Sequence, residues 1–272
     1  MFFKKTNCPT CNHNYDELLD YCPFCKARNE TNVDYKKKYP MTFIEWYKEL
    51  ILLLFGLVGF TLVNIIFSLI FAKQYEADKV YGLMLVNSAS YAVFFVVVII
   101  VLFPYARDLF NRLKIWDASL WGLLGAVVLV AGSILLNVIV QLIRPGTGEG
   151  GNQSAVIQFV QNYSIISIFV IGIIGPLCEE AAYRIGLFSL CHRVHPVLAY
   201  FVTAIVFGLI HFDFTSSDLI TELLYLPNYI WGGICFSVLY QKKGIVASST
   251  AHILNNMYSI VLIIMQSNIP QA

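Results

Sequence analysis

The chain has 272 residues, 58% of them hydrophobic and 13% charged, with a formal net charge of +1 and a mean hydropathy of +0.68. Soluble domains carry about 25% charged residues, so an ordinary soluble globular domain is excluded. The near-neutral balance provides no electrostatic footprint for nucleic acid, and no such partner is expected.

The first apolar run begins only after a polar segment of about 40 residues, so no signal peptide is evident and that run should remain as an anchor. Four of the seven cysteines are ordered as Cys8-Pro-Thr-Cys11 and Cys22-Pro-Phe-Cys25. Two such knuckles supply four thiolates to one tetrahedral Zn²⁺. Residues 1–30 are therefore expected to form a cytosolic Cys₄ zinc ribbon with a closed, structural site. The segment is too short to bury a real core, so the metal would provide most of its folding free energy. Disulfides or a thioredoxin-like pair are disfavoured, because the flanks show no βαβ pattern and a cytosolic compartment is reducing. His13 could replace a ligand, but the cysteine set is complete. The segment resembles the zinc-ribbon heads of many bacterial membrane proteins, which leaves open a cytosolic or membrane partner for it.

Residues 31–45 read as a basic linker carrying Tyr35-Lys-Lys-Lys-Tyr39-Pro40. These lysines suit contact with anionic lipid, or simply mark the cytoplasmic face. Cys178, Cys191 and Cys235 lie in apolar sequence and read as small buried hydrophobes.

Residues 46–272 read as a transmembrane bundle. Apolar runs near 20 residues, long enough for a hydrocarbon core about 30 Å thick, fall at 47–72, 82–103, 119–143, 164–188, 197–214, 223–240 and 245–266. The fold class is thus an all-α polytopic membrane protein with about seven transmembrane helices, preceded by the zinc ribbon. Pro227, Asn228, Gly232 and Gly233 interrupt the sixth run, and 150–162 could form a short interfacial helix. Fourteen Lys and Arg fall on the side of the N-terminus and three (Lys73, Lys79 and Arg144) on the other. By the positive-inside rule this is a multi-pass cell-membrane protein with a cytoplasmic N-terminus, and seven spans put the C-terminus outside.

The fourth run carries Glu179, Glu180 and Arg184. A charged group at mid-bilayer costs roughly 2.5–3.5 kcal/mol on insertion scales, and such groups are usually functional. Glu180 and Arg184 stand at i,i+4 and can pair, while Glu179 points about 100° away toward another helix. Pro176 removes one backbone bond and should leave the Gly172 carbonyl free. Phe207 and His211 share a face of the fifth run, and His252 and Asn256 share a face of the last. A carboxylate and an imidazole can together activate water, while a second imidazole and a carboxamide can stabilise an oxyanion. Each group also has a structural reading: an ion pair that fixes packing, an interhelical histidine donor, an asparagine that joins helices.

Glu179-Glu180-Ala-Ala-Tyr-Arg184, Phe207-Gly-Leu-Ile-His211 and His252-Ile-Leu-Asn-Asn256 resemble, in order and type, the E-E-x-x-x-R, F-x-x-x-H and H-x-x-x-N motifs of the CPBP family. That family comprises the CAAX prenyl endopeptidases and the bacterial bacteriocin-processing or self-immunity (Abi) membrane proteins. The resemblance covers about 160–266 and implies an intramembrane glutamic endopeptidase. Glu179 would be the general base and His211 its partner in activating water. His252 and Asn256 would form the oxyanion hole, with Asn255 as a second candidate, and Glu180 and Arg184 would support the site. Glu179 and His252 lie about 8 residues, near 12 Å, from their cytoplasmic ends, which suggests a site opening toward that leaflet. His211, about 14 residues deep, does not match this depth.

Other chemistries have less support. There is no H-E-x-x-H, no nucleophile motif around Ser248 and Ser249, and no intramembrane aspartate to partner Asp213. A catalytic zinc on Glu179, His211 and His252 remains a minority alternative to a metal-free site. A transporter lacks an evident inverted repeat. The main alternative function is a non-catalytic immunity or regulatory protein that docks onto another membrane protein, with Gly122, Gly125, Ala126, Ala131 and Gly132 as a close-packing face. The expected partners are the lipid bilayer and a membrane-associated peptide or protein substrate.

Overall fold

A computed structural model describes residues 4–31, 35, 38–106 and 115–267. Lys36 and Lys37 of the basic linker, and Arg107, Arg112 and Lys114 of the charge count, lie outside these residues.

The head contains a two-stranded antiparallel ribbon, β1 (Lys5–Asn7) and β2 (Asn14–Asp16), in which Thr6 faces Tyr15. Each cysteine knuckle closes the same way. Asn12 N–H returns to the Cys8 carbonyl and Lys26 N–H to the Cys22 carbonyl, both at 2.9 Å. The residue after each second cysteine takes a left-handed conformation, with φ of 61° at Asn12 and at Lys26. Cys8, Tyr15, Leu19 and Cys22 make the small buried centre.

Helices follow: α1 (Trp46–Ile70), α2 (Ala72–Ala77), α3 (Lys79–Leu102), α4 (Ile115–Ile143), α5 (Gly151–Asn162), α6 (Ser164–Val194), α7 (Pro196–Leu209), α8 (Leu219–Lys243) and α9 (Ile245–Ser267). Their starts are set locally. Asp78 accepts from the amides of Val80 and Tyr81, and Asp218 from that of Thr221, as N-caps do. Pro196 occupies the first turn of α7, where its missing N–H matters least.

Among the described residues, five helices are long and apolar enough to cross a membrane: α1, α3 with its extension to Tyr105, α4 from Trp116, α6 and α8. The other two expected spans are present as helices of a different kind. The run 197–214 stops as a helix at Leu209; its 14 residues reach about 21 Å, short of a full crossing. α9 has 23 residues, but Ser248, Ser249, Thr250, His252, Asn255 and Asn256 dilute its apolar character. The run 223–240 is one continuous helix despite Pro227, and its glycines serve packing. A Cβ on Gly233 would lie 2.9 Å from Ala204 Cα, so α7 and α8 meet backbone to backbone. The chain is a helical, multi-pass membrane protein. Leu62, Ile66, Leu69, Val127 and Leu135 are exposed on α1 and α4, as lipid-facing positions should be.

Packing then positions the functional helices. α4 lies along α8 and α9, and α1 lies against the second half of α6. A Cβ on Gly186 would stand 3.0 Å from the Glu49 carbonyl, which fixes that approach. α5 does form over 151–162, and it is tucked inward: Val160 is buried with Ile260 and Ile263 of α9. The head docks on the end of α6. Arg193 pairs with Asp16 of the head and, at 2.8 Å, with both oxygens of Glu49 on α1.

Candidate active site

The site is built where α6 departs from α-helical winding. Val170–Ile174 is a π-helical turn, closed by Gly175 N–H on the Val170 carbonyl. In that register the next donor would be residue 176, a proline, so the carbonyl left without a backbone partner is that of Ile171. Asn256 Nδ2 donates to it at 2.9 Å. The expected free carbonyl at Gly172 is thereby corrected by one residue, because the π turn shifts the donor by one position. A second π segment spans Ala181–Phe188 and is entirely buried.

The two adjacent glutamates have different surroundings. Glu180 and Arg184 are fully buried, with Arg184 Nε 3.4 Å from Glu180 Oε2. The guanidinium lies over the rings of Phe207 and Phe236, 5.0 and 5.5 Å from their centroids. Glu180 Oε1 faces His252 Nδ1 at 3.1 Å. Glu179 is 16% exposed and reaches the opposite nitrogens: its Oε2 stands 3.9 Å from His211 Nε2 and 3.8 Å from His252 Nε2. That oxygen is buried and makes no direct hydrogen bond among the described residues. Oε1 accepts from Tyr91 Oη on α3 at 3.2 Å.

Both imidazoles are held in place. His211 follows the end of α7 and its Nδ1 lies 2.8 Å from the Phe207 carbonyl, which only accepts, so Nδ1 carries the proton. Its ring stacks on Tyr229 at 4.8 Å, and Asn152 Nδ2 donates to the Tyr229 hydroxyl at 3.3 Å. His252 stacks on Phe236 at 4.3 Å. Asn255 Nδ2 approaches Asn256 Oδ1 at 3.4 Å, which leaves Asn256 between its neighbour and the Ile171 carbonyl. The depth mismatch of His211 is resolved by the shortness of α7, which ends inside the bundle level with Glu179.

Glu179, His211, His252, Asn255 and Asn256 line one cavity of about 770 Å³, together with Tyr91 and Tyr229. Sequence reasoning missed both tyrosines. The one available signal was weak: a phenol in an apolar span needs a partner for its hydroxyl. The cavity reaches Lys79, Glu149 and Gln266 at the end of the bundle away from the head. The expected opening toward the head side is corrected, because the Glu180–Arg184 pair and the buried Phe188 and Tyr240 fill that side.

The four head cysteines bring their sulfurs within 4.8 Å of one another. Cys8 and Cys25 Sγ are 3.5 Å apart, and Cys11 and Cys22 Sγ 3.6 Å. Zn–S bonds of about 2.3 Å in a tetrahedron place sulfurs about 3.8 Å apart, so the set fits a metal ion such as zinc. Burial opposes ionisation of Cys8, yet the amides of Cys11 and Thr10 and the neighbouring thiols bring it down to about 6. Cys11, against the lowering pull of the His13 amide, is pushed up to about 12 by burial and the other three thiols. Among the described residues no other trio gathers its ligand atoms as closely, Glu179, His211 and His252 included.

Residues 161–258 match the family described as Type II CAAX prenyl endopeptidase Rce1-like. The chain is 26% identical over 149 residues to the membrane-embedded CAAX protease MroQ of Staphylococcus aureus, covering 52% of this chain and 56% of that protein. It is 29% identical over 147 residues to an uncharacterized protein of Mycoplasma capricolum subsp. capricolum, covering 51% of this chain and 41% of the other. The chain therefore spans about half the length of the curated relatives it matches. No solved structure matches it. The stretch that is similar to these CAAX proteases, residues 161–258, carries the two glutamates, Arg184, the two histidines and Asn256.

Proposed function

We propose that this protein is an intramembrane endopeptidase that hydrolyses a peptide bond in a membrane-associated peptide or protein, using water activated by Glu179 and His211. The observation that carries this reading is the convergence of Glu179 Oε2 on two imidazole Nε2 atoms at 3.9 and 3.8 Å. Such separations are too long for direct bonds and suit a bridging water. Glu179 Oε2 accepts one proton of that water, and the deprotonated Nε2 of His211 orients it. The water oxygen bonds to the scissile carbonyl carbon while its proton passes to Glu179. The carbonyl oxygen becomes an oxyanion within reach of His252 and Asn256. Glu180 accepts a hydrogen bond from Nδ1 of His252 and so fixes that ring beside the oxyanion. The second N–H of Asn256 remains for the oxyanion, since the first binds Ile171. The C–N bond then breaks as Glu179 returns its proton to the leaving amine, giving a carboxylic acid and an amine.

Tyr91 is a positioning residue in this scheme: it holds Oε1 and so directs Oε2 at the imidazoles. Glu180 and Arg184 give His252 its tautomer. Residues 1–30 act as the head, 31–45 as its linker and 46–272 as the bundle, with the N-terminus in the cytoplasm. Cys8, Cys11, Cys22 and Cys25 would hold a structural Zn²⁺, which cross-links two knuckles that have little core of their own. The test is cleavage of a peptide library in detergent: Glu179→Gln should fold and lose cleavage, and a Glu179→Gln protein that cuts as the wild type does would refute the scheme.

A further inference from the structure

We propose that the catalytic cavity is loaded from the membrane face opposite the cysteine head, by a polypeptide segment that arrives from outside the cytoplasm. The inference rests on the reading above only for the chemical nature of the occupant; the route is read from the cavity wall.

On every helix that forms the wall, the wall residues lie on one side of Glu179. The residue nearest the head is Tyr91 on α3, Leu129 on α4, Glu179 on α6, Phe207 on α7, Phe236 on α8 and His252 on α9. From this floor the wall runs away from the head to Lys79, Glu149 and Gln266. Below the floor the bundle is closed. Glu180, Arg184, Ser189 and Tyr240 are each 0% exposed: the Arg184 guanidinium lies under the Phe207 and Phe236 rings beside Glu180, Ser189 Oγ meets Tyr240 Oη at 2.8 Å, and Tyr240 Oη donates to the Thr42 carbonyl at 2.6 Å. A substrate reaching Glu179 from the head side would have to displace this packing. From the far side it meets an existing channel.

The wall chemistry suits a peptide backbone. Asn228 donates to Asn137 Oδ1 at 2.9 Å, while its own Oδ1 is buried on the wall with no direct protein partner among the described residues. A buried amide oxygen of this kind needs a donor, and a peptide N–H supplies one, whereas a hydrocarbon tail does not. Asn255 and Asn256 continue the row of amides to the catalytic groups. Sidedness follows from charge: fourteen Lys and Arg mark the head side as cytoplasmic against three on the other. The mouth therefore faces outward.

The experiment uses the full-length protein in intact cells, with Ser259→Cys on the cavity wall and Glu30→Cys, exposed on the head, as separate variants. A membrane-impermeant maleimide is added before or after the membrane is opened, and label gained over the wild type is read. The Ser259→Cys variant should label in intact cells at least tenfold more than the Glu30→Cys variant, which should label only after opening. If the Ser259→Cys variant labels only together with the Glu30→Cys variant after opening, the cavity faces the cytoplasm and the inference is wrong. Failure of the Ser259→Cys variant to label in either state, with Glu30→Cys labelling after opening, would show a closed cavity and overturn it equally. Labelling needs no turnover, so a protein that labels from outside yet cuts no peptide would refute the protease reading and leave the route intact.

Discussion

The two halves of the bundle, divided at Glu179, use their polar side chains differently. Toward the head, Ser189, Tyr240, His192, Gln241, Arg193 and Glu49 bond to one another or to backbone, and the interior is sealed. Away from the head, Glu179 Oε2 and Asn228 Oδ1 lack direct partners among the described residues and border a cavity. A polar group inside a membrane protein is expensive in either half. The difference lies in what surrounds it: packed protein, as around the Arg184 guanidinium between the Glu180 carboxylate and the Phe207 and Phe236 rings, or an open cavity. Glu180 and Glu179, adjacent in sequence, fall on the two sides of this divide.

Substitutions on either side should therefore separate activity from stability. The largest effect is expected for Glu179→Gln: cleavage should fall about 10³–10⁴-fold, the range of a lost general base and its charge, with thermal unfolding in detergent unchanged. Arg184→Ala, one turn from Glu180 on the sealed side, should act the opposite way. Breaking a buried pair leaves a charge without compensation and costs roughly 3–5 kcal/mol, so the unfolding midpoint should drop sharply. Replacing Glu180 by Gln and Arg184 by Met together should recover much of that loss, which a merely volumetric explanation does not require. Tyr91→Phe should fall between the two. It removes one hydrogen bond to a charged acceptor, about 1.5–3 kcal/mol, and should lower kcat roughly 10–100-fold with KM and unfolding little changed. A change confined to stability would make Tyr91 a packing residue.

The smallest effect is expected at the rim. Asp218 is held down at about 2, first by the Arg144 hydrogen bond and then by Thr221. A carboxyl whose folded value lies below its unfolded one adds stability above the unfolded value, and loses it as the pH falls through the folded one. Asp218 should thus contribute fully above about pH 4 and nothing below about pH 2. Asp218→Asn should remove that part of the acid dependence, measured as unfolding midpoints between pH 6 and pH 3, and the effect should shrink with salt because Arg144 and Asp218 are exposed.

The residues of the site were legible in sequence because each carries a cost that a membrane span does not tolerate without a reason: two carboxylates, a guanidinium, two imidazoles and a carboxamide at helical spacing. The ribbon was legible because C-x-x-C pairs have few other uses. What sequence could not give was geometry that depends on several helices at once. Composition counted 197–214 as a span, since apolarity runs past Leu209, but the helix ends there and places His211 level with Glu179. Periodicity assumed 3.6 residues per turn, so the π turn at Val170–Ile174, and with it the pairing of Asn256 with Ile171, was not visible. Tyr91 lies in an ordinary apolar run, and only the packing of α3 on α6 gives it a carboxylate to hold. The direction of the opening also depends on which halves of six helices close, and counting depth along single helices pointed the other way.

The measurement that bears most directly on the central claim is peptide cleavage in detergent by a variant with Cys8, Cys11, Cys22 and Cys25 all changed to Ser, with and without Glu179→Gln, and with and without chelator. The four cysteines are removed so that stripping a metal they would hold cannot be mistaken for loss of a catalytic one. The account expects cleavage that survives chelation and disappears with Glu179→Gln. Cleavage that chelator abolishes in the ribbon-free protein, or that persists without the Glu179 carboxylate, would contradict it.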